Sequence, residues 1–242
     1  MKRNIAWLSI IALTYLMTVL TGCGGGGSTT ASGGGGGGGG GGTTVTLPTD
    51  PAGQISYSVD KLKDANYASA KTGFDAAKNN SNSTDYQKRE AATGSLYCDV
   101  KLGNLDLGSD SLVNSLLQIT NKNSTTFAPE YAVTAEVRIP LDAHLLLGIA
   151  YMVRNKSGDN DKAVSSLQQL GGSTFNANFT FNTEIGLSVT NPEAHALLSM
   201  AFFYAGNKDS SSSQLAIAKT LDADGQYLMV SEISNALAIM GL

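Results

Sequence analysis

Cysteine and histidine are scarce in this chain, with two of each among 242 residues. Two cysteines cannot staple a disulfide scaffold, and two histidines leave little for a metal cage. Charge is sparse as well: charged residues make up 15%, with 16 Lys and Arg against 20 Asp and Glu. Gripping nucleic acid takes clustered basic residues, so that partner class has no electrostatic basis here. The motifs that usually announce chemistry are missing. There is no Gly-x-Ser-x-Gly elbow, no His-Glu-x-x-His, and no Lys-Ser/Thr after the glycine runs to make a phosphate cradle. Asp159-Asn160-Asp161 and Asp222-Ala223-Asp224-Gly225 each lack the further oxygen ligands of a calcium loop, and read as turns with helix caps. No metal or cofactor is implied.

Glycine, by contrast, is plentiful and unevenly placed. Of 28 glycines, 15 lie between positions 22 and 42, leaving 13 for the 200 residues that follow. Lys2 and Arg3 precede Ile5–Leu20, a run of 16 uncharged residues. A membrane-crossing helix needs roughly 20 apolar residues, so the run reads as an export signal rather than a permanent span. Its end, Leu20-Thr21-Gly22-Cys23, resembles the lipobox of bacterial lipoproteins: an apolar residue, two small ones and a cysteine. That resemblance implies cleavage before Cys23 and acylation of its thiol with chains such as palmitate. Two or more chains anchor stably, whereas one binds only marginally. Gly24, where the enteric sorting rule places Asp for inner-membrane retention, points to the outer membrane, on its periplasmic face or at the cell surface. Removing Lys2 and Arg3 takes the formal charge from −4 to −6. The glycines that follow have no side chains to bury and much backbone entropy to lose, which predicts an unfolded tether. About 20 such residues average roughly 25 Å end to end and reach about 65 Å when stretched.

Beyond the tether the apolar pattern is helical. Tyr67, Ala70, Phe74 and Ala77 share one face, Asp85 is a candidate cap, and Leu112, Val113, Leu116, Leu117 and Ile119 mark a further helix. Laying the chain on itself with a shift of 51 aligns Asp142–Tyr151 with Glu193–Phe202 at five identities in ten, and the same shift aligns Asp110, Val113, Leu116 and Gln118 with Asp161, Val164, Leu167 and Gln169. One offset shared by two different helices predicts three helical units, starting near Ala91, Asp142 and Glu193, behind an opening helix at Ser58–Lys78. A hairpin cannot cover its own apolar face, so neighbouring units stack. In Ser173–Phe181 the alternation is partial and no partner strand is evident. A packed loop with Phe175, Phe179 and Phe181 plugging a hairpin end is the preferred reading over a strand.

These residues resemble the tetratricopeptide repeat family. Tyr67, Ala70, Phe74 and Ala77 match second-helix positions, and Gly94 with Tyr97 and Leu147-Gly148 with Tyr151 match first-helix positions. Gly158 and Ala163 match the turn glycine and second-helix alanine. The departures are a period of 51 instead of 34, prolines Pro140 and Pro192 one residue out of register, and extra residues at Asn121–Ile139 and Gly171–Asn191. The resemblance implies an all-α domain of stacked antiparallel helical hairpins. The expected organisation is a signal peptide at 1–22, a lipidated Cys23 and flexible linker at 23–52, and the repeat domain at 53–242.

His144 and His195 occupy one position in two units, each preceded by a carboxylate and an alanine. They are the candidates for a polar site, although units displaced by a helix-pair thickness hold them too far apart for one metal. A shared packing or capping slot is the preferred reading. Cys98, the thiol left once Cys23 is acylated, sits in an apolar helical run with no histidine near it in sequence, as a small buried hydrophobe does. The expected role is a lipid-anchored envelope scaffold that binds a protein partner and has no catalytic residue. The alternative is an envelope enzyme or small-molecule carrier with His144, His195 and Cys98 around one pocket.

Overall fold

Capping side chains set where the helices begin. Asp50, Asn66, Ser109 and Asn207 each accept a hydrogen bond from the backbone N–H three residues on, and Thr84 and Thr190 form reciprocal capping boxes with Gln87 and Glu193. The structure, a computed structural model, describes residues 46–127 and 137–242. Among them are nine helices and no strand: α1 Pro51–Lys63, α2 Tyr67–Asn79, α3 Asp85–Lys101, α4 Asp110–Thr120, α5 Leu141–Arg154, α6 Asp159–Gln168, α7 Asn191–Tyr204, α8 Lys208–Leu221 and α9 Leu228–Ile239. The described residues are all-α, as the apolar periodicity predicts.

The helices pack in a regular order. Each one lies against the next, and α1, α3, α5, α7 and α9 also touch along a second line, every odd helix on the next odd one. Small residues permit the closest crossings. A Cβ on Gly73 of α2 would strike the Ser58 hydroxyl of α1, one on Gly94 of α3 would sit 2.5 Å from the Phe74 ring of α2, and one on Gly148 of α5 would sit 2.5 Å from Leu167 of α6. Backbones approach there because no side chain intervenes. At Gly158, φ is +78°, the left-handed conformation that glycine adopts without strain, and the chain reverses directly into α6.

The core runs the length of this array. Ala70, Phe74 and Ala77 are fully buried on α2, with Tyr67 packed beside them. Leu112, Val113, Leu116 and Ile119 are buried on α4, whereas Leu117 is exposed. Three sequence expectations need correction. Ser58–Lys78 is two helices, because α1 ends at Lys63 and Ala65 takes a left-handed φ of +54°. The cap before α3 is Thr84, since its hydroxyl accepts from Gln87, and Asp85 is the first helical residue. Ala91 lies inside α3 and starts no unit.

Residues 172–190 form no helix and no strand, yet they carry core. Phe179, Phe181, Ile185, Leu187 and Val189 are buried and Phe175 packs against them, so the segment is a strap over the array. Ordinary connections in helical bundles run about 2–8 residues. A strap this long persists because its side chains are buried and its backbone is bonded, as the phenylalanines suggest. At the next crossing Arg89, with no exposed side-chain surface, binds Asp85 at 2.9 Å, reaches the carbonyl of Ile119, and takes that of Asn121 at 3.2 Å. It caps the C-terminal end of α4 from α3, where a cation is favoured.

Candidate functional site

The two histidines are equivalent in sequence and unlike in surroundings. His195, on α7, is completely buried. Its Nδ1 lies 2.7 Å from the side-chain oxygen of Gln214 on α8, and its Nε2 lies 3.0 Å from the carbonyl of Phe179 in the strap. The Phe179 ring stacks on the imidazole at 4.0 Å, and the Gln214 amide donates to the carbonyl of Ala177 at 3.2 Å. This residue pins the strap to α7 and α8. His144, on α5, keeps a small exposed edge. Its Nδ1 is buried with no hydrogen-bond partner, and burial, with a smaller push from Lys122, lowers its pKa to about 4. The two rings share no partner.

Cys98 is fully buried on α3, and burial raises its thiol to about 12, so it carries no thiolate for chemistry at neutral pH. None of His144, His195 and Cys98 lines the groove described next. The two candidate calcium scraps are turns and caps. Asp159 opens α6, pairs with Arg154 at 2.7 Å and accepts from the Lys156 N–H, while Asp222 accepts from the backbone of Gln226 and Tyr227. Among the described residues no group of three His, Cys, Asp or Glu side chains could hold a metal ion. No helix of the described residues is long and apolar enough to cross a membrane. Cys23 and the glycine tether lie outside the described residues.

Sequence reasoning missed an open groove of about 320 Å³ lined by α1, α3 and the strap. Ile55 and Val59 of α1 give it an apolar wall, Asp60 and Lys63 lie at one side, and Glu90 of α3 and Glu184 of the strap at the other. Glu184 is held from three directions. The Tyr86 hydroxyl donates to its carboxylate, Arg138 pairs with it at 2.6 Å while lying 4.4 Å over the Tyr86 ring, and its backbone N–H donates to Asp142 at 2.6 Å. The N–H of Ile185 donates to the same Asp142 oxygen at 3.0 Å. Asp142, fully buried at the start of α5, is raised to about 6 by burial, against the pull of these hydrogen bonds, and its other oxygen has no partner. Burial, reinforced by the charge of Glu184, raises Glu90 to about 7 despite Arg138. Glu90 makes no hydrogen bond or ion pair among the described residues. The groove is therefore an amphipathic cleft with more acidic than basic side chains in its lining.

No protein-family model matches the chain, and no curated protein and no solved structure matches it either.

Proposed function

We propose that this protein is a lipid-anchored component of the bacterial envelope, whose helical domain is a tetratricopeptide-like array that docks a protein partner. The observation that carries the reading is the burial register. With the 51-residue offset, Leu112, Ala163 and Gln214 are all buried, as are Leu116, Leu167 and Ala218, each set coming from α4, α6 and α8. On the other line Ala143 and Ala194 are both fully buried, and so nearly are Tyr151 and Phe202. Equivalent residues with equivalent burial are what stacked units require, and stacked units leave an extended face free for contacts.

The anchor rests on Leu20-Thr21-Gly22-Cys23 behind its hydrophobic run, and outer-membrane sorting rests on Gly24. Acylation of Cys23 is tested by metabolic labelling with a palmitate analogue. The wild-type chain takes the label and Cys23→Ala does not; equal labelling of both refutes the anchor. Docking is tested by cross-linking the full chain in intact envelopes and weighing the product. A single adduct of defined stoichiometry supports the module, whereas recovery of the chain alone contradicts it. The rival pocket of His144, His195 and Cys98 has no geometric support, since both ring nitrogens of His195 are already engaged inside the core.

A further inference from the structure

We infer that the groove between α1, α3 and the strap receives a lysine or arginine side chain presented by a segment of the partner protein. This rests on the docking reading above and specifies its chemistry. The carboxylates around the groove differ in what they already hold. Asp60 is paired with Lys63 at 3.0 Å, and Glu184 is committed to Arg138 and the Tyr86 hydroxyl. Glu90 alone among them is half-buried with no direct ion pair, in the field of Glu184 and Asp142, which Arg138 offsets in part. Burial first, and the charge of Glu184 second, raise its carboxyl to about 7, as happens to a carboxylate removed from water without a direct ion pair.

A long basic side chain matches both parts of the cleft. Its methylenes lie along Ile55 and Val59, and its charged head reaches Glu90, the division that lysine and arginine make wherever they cover apolar surface. The volume, about 320 Å³, is at the low end of ligand pockets, about 300–1,000 Å³, and so takes one extended side chain with its flanks rather than a folded element. Charge complementarity selects the partner: the chain is acidic overall, at −4, and a cation entering here restores Glu90 to its ordinary ionised state.

The probes are capped Leu-Ala-Lys-Ala-Leu, its counterparts with Gln or Glu at the centre, and spermidine, each titrated into the full-length chain in detergent and followed by NMR at positions 52–63 and 87–90. The lysine peptide is expected to bind at least about 5-fold more tightly than the Gln peptide, and the Glu peptide not to bind; about 5-fold is the scale of a single partly exposed ion pair. Glu90→Gln is expected to erase the Lys-over-Gln preference. Ser56→Lys, an exposed position on the groove rim, supplies a competing ammonium and is expected to weaken the lysine peptide while the helical circular dichroism stays unchanged. Equal binding of the three peptides, no binding by any of them, or a preference that survives Glu90→Gln overturns the proposal. Spermidine binding as tightly as the lysine peptide overturns the assignment to a protein segment. If the cross-linked envelope adduct forms equally with Glu90→Gln, the docking module stands and this groove is not its contact.

Discussion

The hairpin of α5 and α6 and the hairpin of α7 and α8 begin from nearly the same sentence, Asp-Ala-His-Leu-Leu-Leu against Glu-Ala-His-Ala-Leu-Leu, and finish in different environments. In the second hairpin the position buried opposite the histidine holds Gln214, and the strap brings the Phe179 carbonyl down on the other side of the ring. In the first, the position equivalent to Gln214 is Ala163, which offers no polar atom, and the Nδ1 of His144 stays unsatisfied. Repetition fixes which face of a helix is buried. What covers that face decides whether a polar residue there contributes stability or costs it.

That contrast can be broken most forcefully at His195. Replacing His195 by Ala removes the ring N–H from whichever of the Phe179 carbonyl and the Gln214 amide oxygen accepts it, at about 1–3 kcal/mol, and opens a cavity in the core besides. A loss of about 4 kcal/mol is expected, read as a fall in Tm of about 10 °C for a domain of this size. His144→Ala is expected to lose about 1 kcal/mol, the usual cost of an unremarkable substitution. Equal losses at the two positions would show that the environments are alike and the comparison empty.

The pH dependence sharpens it next. The His144 ring is lowered from its ordinary 6.5 to about 4, so its contribution is present above pH 6.5 and is lost as pH falls towards 4, by roughly 2–3 kcal/mol in all. His144→Leu is expected to flatten that acid limb in a Tm-against-pH series and to leave stability at pH 7 nearly unchanged, because it removes an unsatisfied nitrogen. The raised carboxyls act with the opposite sign. Glu90 at about 7 and Asp142 at about 6 contribute stability below pH 4, which is lost as pH rises through 6 to 7. Glu90→Gln is expected to raise Tm at pH 8 relative to wild type and to change little at pH 4.

The last contrast concerns Gly148 and its counterpart Ser199. Ser199 fits because its hydroxyl donates to the Ser211 carbonyl at 2.8 Å, whereas a side chain at Gly148 meets Leu167. Gly148→Ser is expected to cost about 1–2 kcal/mol through overpacking, measured by urea unfolding. A neutral result would mean that α6 shifts freely on α5.

Much of the array was legible because helical burial leaves a periodic trace. Ala70, Phe74 and Ala77, the α4 stripe, and the match of Ala143 with Ala194 follow from spacing alone. The aromatic run at Phe175–Phe181 was legible as packed loop, since aromatic residues without a partner strand have a core to fill. The break between α1 and α2 left only Asn66, the cap of α2, as a trace, because Ala65 takes a left-handed conformation with neither Gly nor Pro to mark it. Nor did the groove. Tyr86 and Glu184 stand 98 residues apart, and Glu90, Asp142 and Glu184 meet only after the strap folds back over α3 and α5. A pairing at that range has no period.

The proposed stacking of equivalent units is most directly tested by pulsed electron resonance between spin labels at Asn114, Ser165 and Ala216, three exposed positions one offset apart on α4, α6 and α8. The labels are placed pairwise on cysteines in a Cys23→Ser background, where buried Cys98 does not react. The account predicts that the 114–165 and 165–216 distances match and that the 114–216 distance approaches twice either one. Clearly unequal steps, or a 114–216 distance shorter than one step, would contradict it, because the helices would then close on themselves as a bundle.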